Sequence, residues 1–206
     1  MRALVIVMLL AAAAHADALV VGDKLAELDV AVDRAGKPVK LAAFRGRWVL
    51  ITIGAAWCLP CQKELPIWDQ LAAEFAGRIT FIALDIDDDV KDGIAFHDRL
   101  KLRNMVRIYL PQETSAVVGR YGADKMPSTF IADPGGVVRY AHGGYEAGDA
   151  AKLRATLAAL VPAKPKPAPP KPVPPPPKPE GALGIVVPAH TPPVLWSAAW
   201  SSLLRF

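Results

Sequence analysis

Cys58 and Cys61 are the only cysteines in the 206-residue sequence, and they stand two residues apart in Trp57-Cys58-Leu59-Pro60-Cys61. The pair falls where a β-rich apolar run, Trp48 to Ala56, gives way to apolar residues at helical spacing over Gln62 to Ala76. Cys58 is therefore predicted at a helix N-terminus, where unpaired backbone N–H groups and the helix dipole favour a thiolate. Cys61, one turn in, is predicted to reach Cys58 while staying shielded. A structural zinc site needs about four ligands, and His15, His97, His142 and His190 are isolated from one another in the sequence. An inert bridge closing so short a loop gains little, because stabilisation grows with loop length. The spacing points to a redox pair.

Further motifs place the pair in a family. Trp-Cys-x-Pro-Cys followed by Glu64-Leu65-Pro66, with Met126-Pro127-Ser128-Thr129-Phe130 far downstream, resembles the thioredoxin superfamily and, within it, the exported TlpA/ResA-like thiol-disulfide oxidoreductases. The likeness covers about residues 20–160. It implies an α/β fold with a central mixed sheet flanked by helices, an N-terminal β-hairpin, and a cis peptide bond at Met126-Pro127 opposite the cysteines. It further implies that Cys58 and Cys61 are catalytic and that Glu64 exchanges a proton with the resolving thiol. Trp57, Pro60, Met126 and Pro127 are expected to bind substrate, the Met126 backbone pairing with an extended segment. No metal or cofactor is expected. Where thioredoxin has an aspartate six residues before its first cysteine, this chain has Thr52, which cannot titrate. Ile53-Gly54 replaces the aromatic pair common in relatives, so the wall under the site is expected to be thinner.

These residues need elements to hold them. Leu28 to Val32 and Val39 to Leu41 flank polar turn residues and predict the hairpin. Arg78 to Asp85 and Val106 to Leu110 predict strands, and Val90 to Leu102 and Pro111 to Tyr121 predict helices. Ser128 to Ala132 and Val137 to Ala141 predict a closing hairpin, followed by a last helix over Glu146 to Leu160. Pro66 predicts a kink within the redox helix. The acidic run from Asp85 to Asp92 is not a calcium loop, because Val90 and Phe96 occupy the glycine and glutamate places; it is expected to cap the helix after it. His97 is expected at the surface or in packing rather than as a ligand.

The termini differ in kind from this centre. Met1 to Ala16 has one arginine, a short apolar run and a final Ala14-His15-Ala16, as in a cleaved signal peptide, with an uncleaved anchor the alternative. Residues 17–161 then form the folded domain, with 18 basic against 19 acidic side chains. That balance gives no reason to expect nucleic acid as a partner. Residues 162–180 are a Pro/Lys-rich linker, extended at about 3.1 Å per residue as polyproline II. Residues 181–206 are apolar but broken by prolines, with Trp196 and Trp200 at helical spacing; a membrane surface, a partner, the chain's own domain and disorder all remain open for them. The expected activity is exported thiol-disulfide exchange on protein disulfides, in the reducing direction, for example in maturation of cytochrome c or metal-site cysteines, with a membrane electron donor. The rivals are a binding scaffold that presents the tail, and an oxidising or isomerising enzyme of the same fold. A peroxidase is disfavoured, because no threonine stands at the peroxidatic spacing before Cys58.

Overall fold

The structure, a computed structural model, describes residues 18–163. The leader, nearly all of the linker and the tail with Trp196 and Trp200 lie outside the described residues. Among the described residues, five strands form one mixed sheet in the order β3-β2-β1-β4-β5. Strand β1 (Trp48–Gly54) lies at its centre, parallel to β2 (Ile79–Asp85) and antiparallel to β4 (Ser128–Ala132). Strand β3 (Val106–Tyr109) extends the parallel side and β5 (Val138–Gly143) the antiparallel side. β1 and β2 are buried almost throughout, as their continuous apolar runs require of strands covered on both faces.

One face carries the helices α1 (Leu59–Glu74), α2 (Val90–Arg99) and α3 (Asp149–Leu160). Leu65, Trp68, Leu71 and Ala72 of α1 and Phe75, its C-cap, pack there against Leu50, Phe81 and Ile131 from the sheet and Leu153 and Leu157 from α3. Pro66 sits inside α1 and leaves the Gln62 carbonyl without its usual donor, yet the helix continues through it. The opposite face is covered by the N-terminal arm, through Leu19, Leu28, Ala31 and Leu41, and by Val118 and Tyr121.

Two elements differ from expectation. The N-terminal hairpin is an arm with isolated bridges, Val32 pairing with Pro38 and with Tyr109. Asp33 closes its turn by accepting the Ala35 and Lys37 N–H groups, the Asp33 and Val39 N–H groups donate to the Lys37 and Ala31 carbonyls across it, and Val32 exchanges both its backbone bonds with Tyr109 instead. Pro111 to Tyr121 is no α-helix. Short 3-10 turns at Val118–Tyr121 and Ala123–Lys125 stand in its place. Asp29 takes the Ser115 hydroxyl at 2.9 Å and the Ala116 N–H at 2.6 Å, so the arm holds this segment in place of helical bonding.

Asp69 ties α1 to the loop before β3. Its Oδ1 accepts N–H bonds from Arg103, Asn104 and Met105 at 2.8 to 3.1 Å, and its Oδ2 takes the Asn104 side chain at 2.9 Å. Asp69→Ala is expected to lower stability by about 2 kcal/mol, since these donors lose a charged acceptor and only water can replace it. A chemical denaturation midpoint measures this, and an unchanged midpoint would show the bonds to be dispensable.

Candidate active site

Cys58 is the N-cap of α1, with extended backbone angles (φ −85°, ψ 98°), and Pro60 lies in the first turn, where its missing N–H costs nothing. The Cys61 N–H points at Cys58 Sγ, 3.2 Å away, so the sulfur occupies the place of a capping oxygen. Cys58 and Cys61 are joined as a disulfide, with Cα atoms 5.3 Å apart. Cys58 is 5% exposed and Cys61 is fully buried, so of the two residues only the first meets solvent.

The loop before the disulfide is pinned on both sides of Ala56. Its N–H donates to Asp87 Oδ2 at 2.8 Å and its carbonyl accepts from Gln62 Nε2 at 3.1 Å, while the Cys58 N–H returns to the Ala55 carbonyl at 3.0 Å. Trp57 and Leu59 flank Cys58 and are largely exposed, at 62% and 69%. The Met126-Pro127 peptide bond is cis. A shallow groove beside Cys58 is lined by Trp57, Leu59, Pro60, Ala123, Asp124 and Met126. Gly54 lies beneath: a Cβ there would stand 3.4 Å from Cys61 Cβ and from Leu65 Cδ1, so Cys61 and Leu65 fill the space over it.

Glu64, one turn beyond Cys61, is entirely buried. Its Oε1 accepts from the Thr52 hydroxyl at 2.7 Å and lies 3.3 Å from Thr129 Oγ1; Thr129 in turn accepts from the Trp68 indole at 3.3 Å and bonds Thr52 at 3.0 Å. Glu64 Oε2 has no partner. Burial pushes the carboxyl up to about 7, and the hydrogen bonds from Thr52, Thr129 and Trp68 only partly oppose it. This group therefore sits near the midpoint of its titration at neutral pH, the condition for giving and taking protons there.

The sequence reading missed the supports. Thr52 was set aside as unable to titrate, yet it is the nearest partner of the group that does. The signal was present: Thr52 is an isolated hydroxyl in a buried apolar strand, in register with Thr129 across β1 and β4. The acidic run also divides. Asp89 caps α2 through the Lys91 N–H, as expected, whereas Asp85 and Asp87 are buried beside the site. His97 is buried in packing against Phe96 and Tyr109.

Comparisons with known proteins agree with this geometry. The sequence profile of the AhpC/TSA family matches residues 21–141. The thiol-disulfide oxidoreductase ResA of Bacillus anthracis is 30% identical over 110 residues, which take in 53% of this chain and 62% of ResA. The thioredoxin-like protein YneN of Bacillus subtilis (strain 168) is 27% identical over 113 residues, 53% of this chain and 64% of YneN. The match thus spans less than two thirds of either relative. Among solved structures, a protein assigned as the thiol:disulfide interchange protein DsbE of Chlorobium tepidum superposes with a TM-score of 0.61 at 25% identity, over 69% of this chain and 98% of that one.

Proposed function

Because the chain belongs to the AhpC/TSA family and has the thioredoxin-like fold, we propose that it is a thiol-disulfide oxidoreductase of the ResA/DsbE type that works through Cys58 and Cys61. The observation that carries this reading is the bonded pair at the start of α1, one cysteine meeting solvent and the other buried one turn from a carboxyl that titrates near neutrality.

The reaction begins from the dithiol. Cys58, as a thiolate held by the Cys61 N–H and the helix N-terminus, attacks one sulfur of a substrate disulfide. That disulfide breaks, its departing thiolate takes a proton, and a mixed disulfide joins substrate to Cys58. Glu64 then accepts the Cys61 proton, and Cys61 attacks Cys58 Sγ, releasing the second substrate thiol and closing the internal bridge. Two electrons have passed to the substrate. Trp57, Pro60, Met126 and Pro127 are assigned to substrate binding: Trp57, Pro60 and Met126 line an open groove next to the attacking sulfur, which suits an extended polypeptide segment, and Pro127 follows Met126 across the cis bond.

Reduction is the proposed direction, on exported protein disulfides such as those of an apocytochrome c or a metal site. The Leu59-Pro60 dipeptide lacks the histidine of strongly oxidising sites, and the leader-like Met1 to Ala16 supports export. No helix among the described residues is long and apolar enough to cross a membrane. Regeneration outside the cytoplasm then requires a membrane partner that delivers two electrons to the Cys58–Cys61 disulfide. Equilibration against a glutathione or dithiothreitol buffer tests the direction. A potential nearer to about −270 mV than to about −120 mV is expected, and one at the oxidising end of that range would reverse the assignment.

A further inference from the structure

We propose that Asp85 and Asp87 are a positioning pair for Cys58: a carboxyl clasp at the end of β2 that holds the Ala55–Trp57 loop by the Ala56 N–H and transmits its own charge state to the start of α1. The inference rests on the thiol-exchange reading and adds to it residues placed on neither α1 nor the Met126-Pro127 loop.

The clasp is continuous. Asp87 Oδ2 accepts the Ala56 N–H at 2.8 Å, and Asp85 Oδ1 accepts the Asp87 N–H at 3.1 Å. The strand ends are locked beside it: Asp85 is in register with Gly54, and the Ile86 N–H donates to the Gly54 carbonyl at 3.0 Å. One residue, Trp57, separates Ala56 from Cys58, so whatever moves Ala56 moves the cap of α1. Asp85 cannot swing away. A Cβ at Gly93 of α2 would stand 2.0 Å from Asp85 Oδ1, so the carboxyl is pressed against the helix backbone at the one residue type that admits it.

This is an expensive place for charge. Asp85 is fully buried and Asp87 is 7% exposed, and neither has a lysine or arginine partner among the described residues. The groups that face them are Asp88 beyond the strand, Asp92 and His97 on α2, and Tyr109 on β3, with Cys61 on α1 across Gly54. His97 Nε2 is 4.0 Å from Asp85 Oδ2, and both His97 nitrogens, Asp85 Oδ2 and the Tyr109 hydroxyl lack partners. Burial, with the repulsion of Arg107, pushes His97 down to about 4, so it is neutral at neutral pH and supplies no countercharge. Burial and the neighbouring Asp87 charge push Asp85 up to about 8, and Asp87 is raised less. At neutral pH Asp85 therefore keeps most of its proton. Above about 8 it loses that proton in a dry site beside Asp87, and the added charge is transmitted to Ala56.

The amide shift of Ala56 tests this in the disulfide form, where no thiol titrates, and in Glu64→Gln protein, where Glu64 is silent. It is expected to move in one step with a midpoint near about 8, and the step is expected to vanish in Asp85→Asn. In reduced protein, Asp87→Asn keeps an acceptor for Ala56 while removing the charge, and is expected to speed alkylation of Cys58 at pH 6 by roughly threefold. A flat Ala56 shift in protein that turns over disulfides would overturn the clasp alone. The Ala56 step in protein with no thiol turnover would support the clasp and overturn the exchange reading. An alkaline step that survives in Asp85→Asn would assign the titration to another group and overturn the clasp.

Discussion

Cys58→Ser is expected to reduce turnover of a chromogenic disulfide by on the order of a thousandfold or more, to the rate without protein, the scale on which loss of a covalent nucleophile acts. Cys61→Ser is expected to fail differently. The two cysteines differ in burial, 5% exposed against fully buried, and in the polar neighbours of their sulfurs: the Cys61 N–H donates to Cys58 Sγ, whereas Cys61 Sγ faces the Ile53 carbonyl, an acceptor, at 3.9 Å. Attack from outside must therefore begin at Cys58, and Cys61 enters only once the mixed disulfide stands one turn away. Cys61→Ser should perform the first step once and stop, giving a covalent adduct of one substrate per protein that dithiothreitol releases. Intact mass measured before and after reductant reads this directly. If Cys58→Ser forms the adduct and Cys61→Ser does not, the assigned order is reversed; if neither variant loses turnover, the sulfurs carry no catalysis. Captured from a periplasmic extract, the Cys61→Ser adduct also names the client.

The parts of the site that follow from local rules were legible in the sequence. The change after Ala56 from an unbroken β-rich apolar run to apolar residues at helical spacing placed the strand, the helix and the sulfur at their junction, and Leu65, Trp68, Leu71 and Ala72 of α1 are buried accordingly. What could not be read depends on contacts between distant segments. Asp29 and Ser115 are 86 residues apart in the sequence, and their hydrogen bond, which holds the segment ahead of the Val118–Tyr121 turn, has no local signal between Pro111 and Tyr121. Thr52, Glu64 and Thr129 lie on three different elements, so the burial that tunes Glu64 is a property of the assembled sheet. Asp85 and Asp89 have the same side chain in the same acidic run. One is buried because it ends β2 in register with Gly54, while the other caps α2, and composition alone does not separate them.

Glu64 should also leave a mark on stability that is independent of thiol chemistry. Its carboxyl titrates near about 4.5 in an unfolded chain and is pushed up to about 7 by burial in the fold. Between those values the folded protein holds a proton that the unfolded chain has released, so rising pH favours unfolding. The contribution is fully present below about 4.5, falls through the interval and is gone above about 7, a loss of about 3 kcal/mol at 1.36 kcal/mol for each unit of pKa difference. Burial of Asp85 acts in the same direction and extends the decline toward about 8, while buried His97, pushed down from 6.5 to about 4, opposes it below 6.5. Urea denaturation of the disulfide form should therefore give midpoints that fall most clearly between about pH 6.5 and pH 8, the reverse of a protein stabilised by surface carboxylate pairs. Glu64→Gln cannot ionise, so it should lose the part of the slope below about pH 7 and keep the part that belongs to Asp85. The glutamine amide places a donor where Oε2 has no partner, so the variant is expected to be the less stable protein at pH 4. As wild-type stability falls with pH, that deficit should narrow or reverse by pH 8. A wild-type midpoint that rises steadily from pH 4 to pH 8, or a slope unchanged by Glu64→Gln, would mean that Glu64 is ionised inside the fold, and its place as the proton carrier for Cys61 would fall with it.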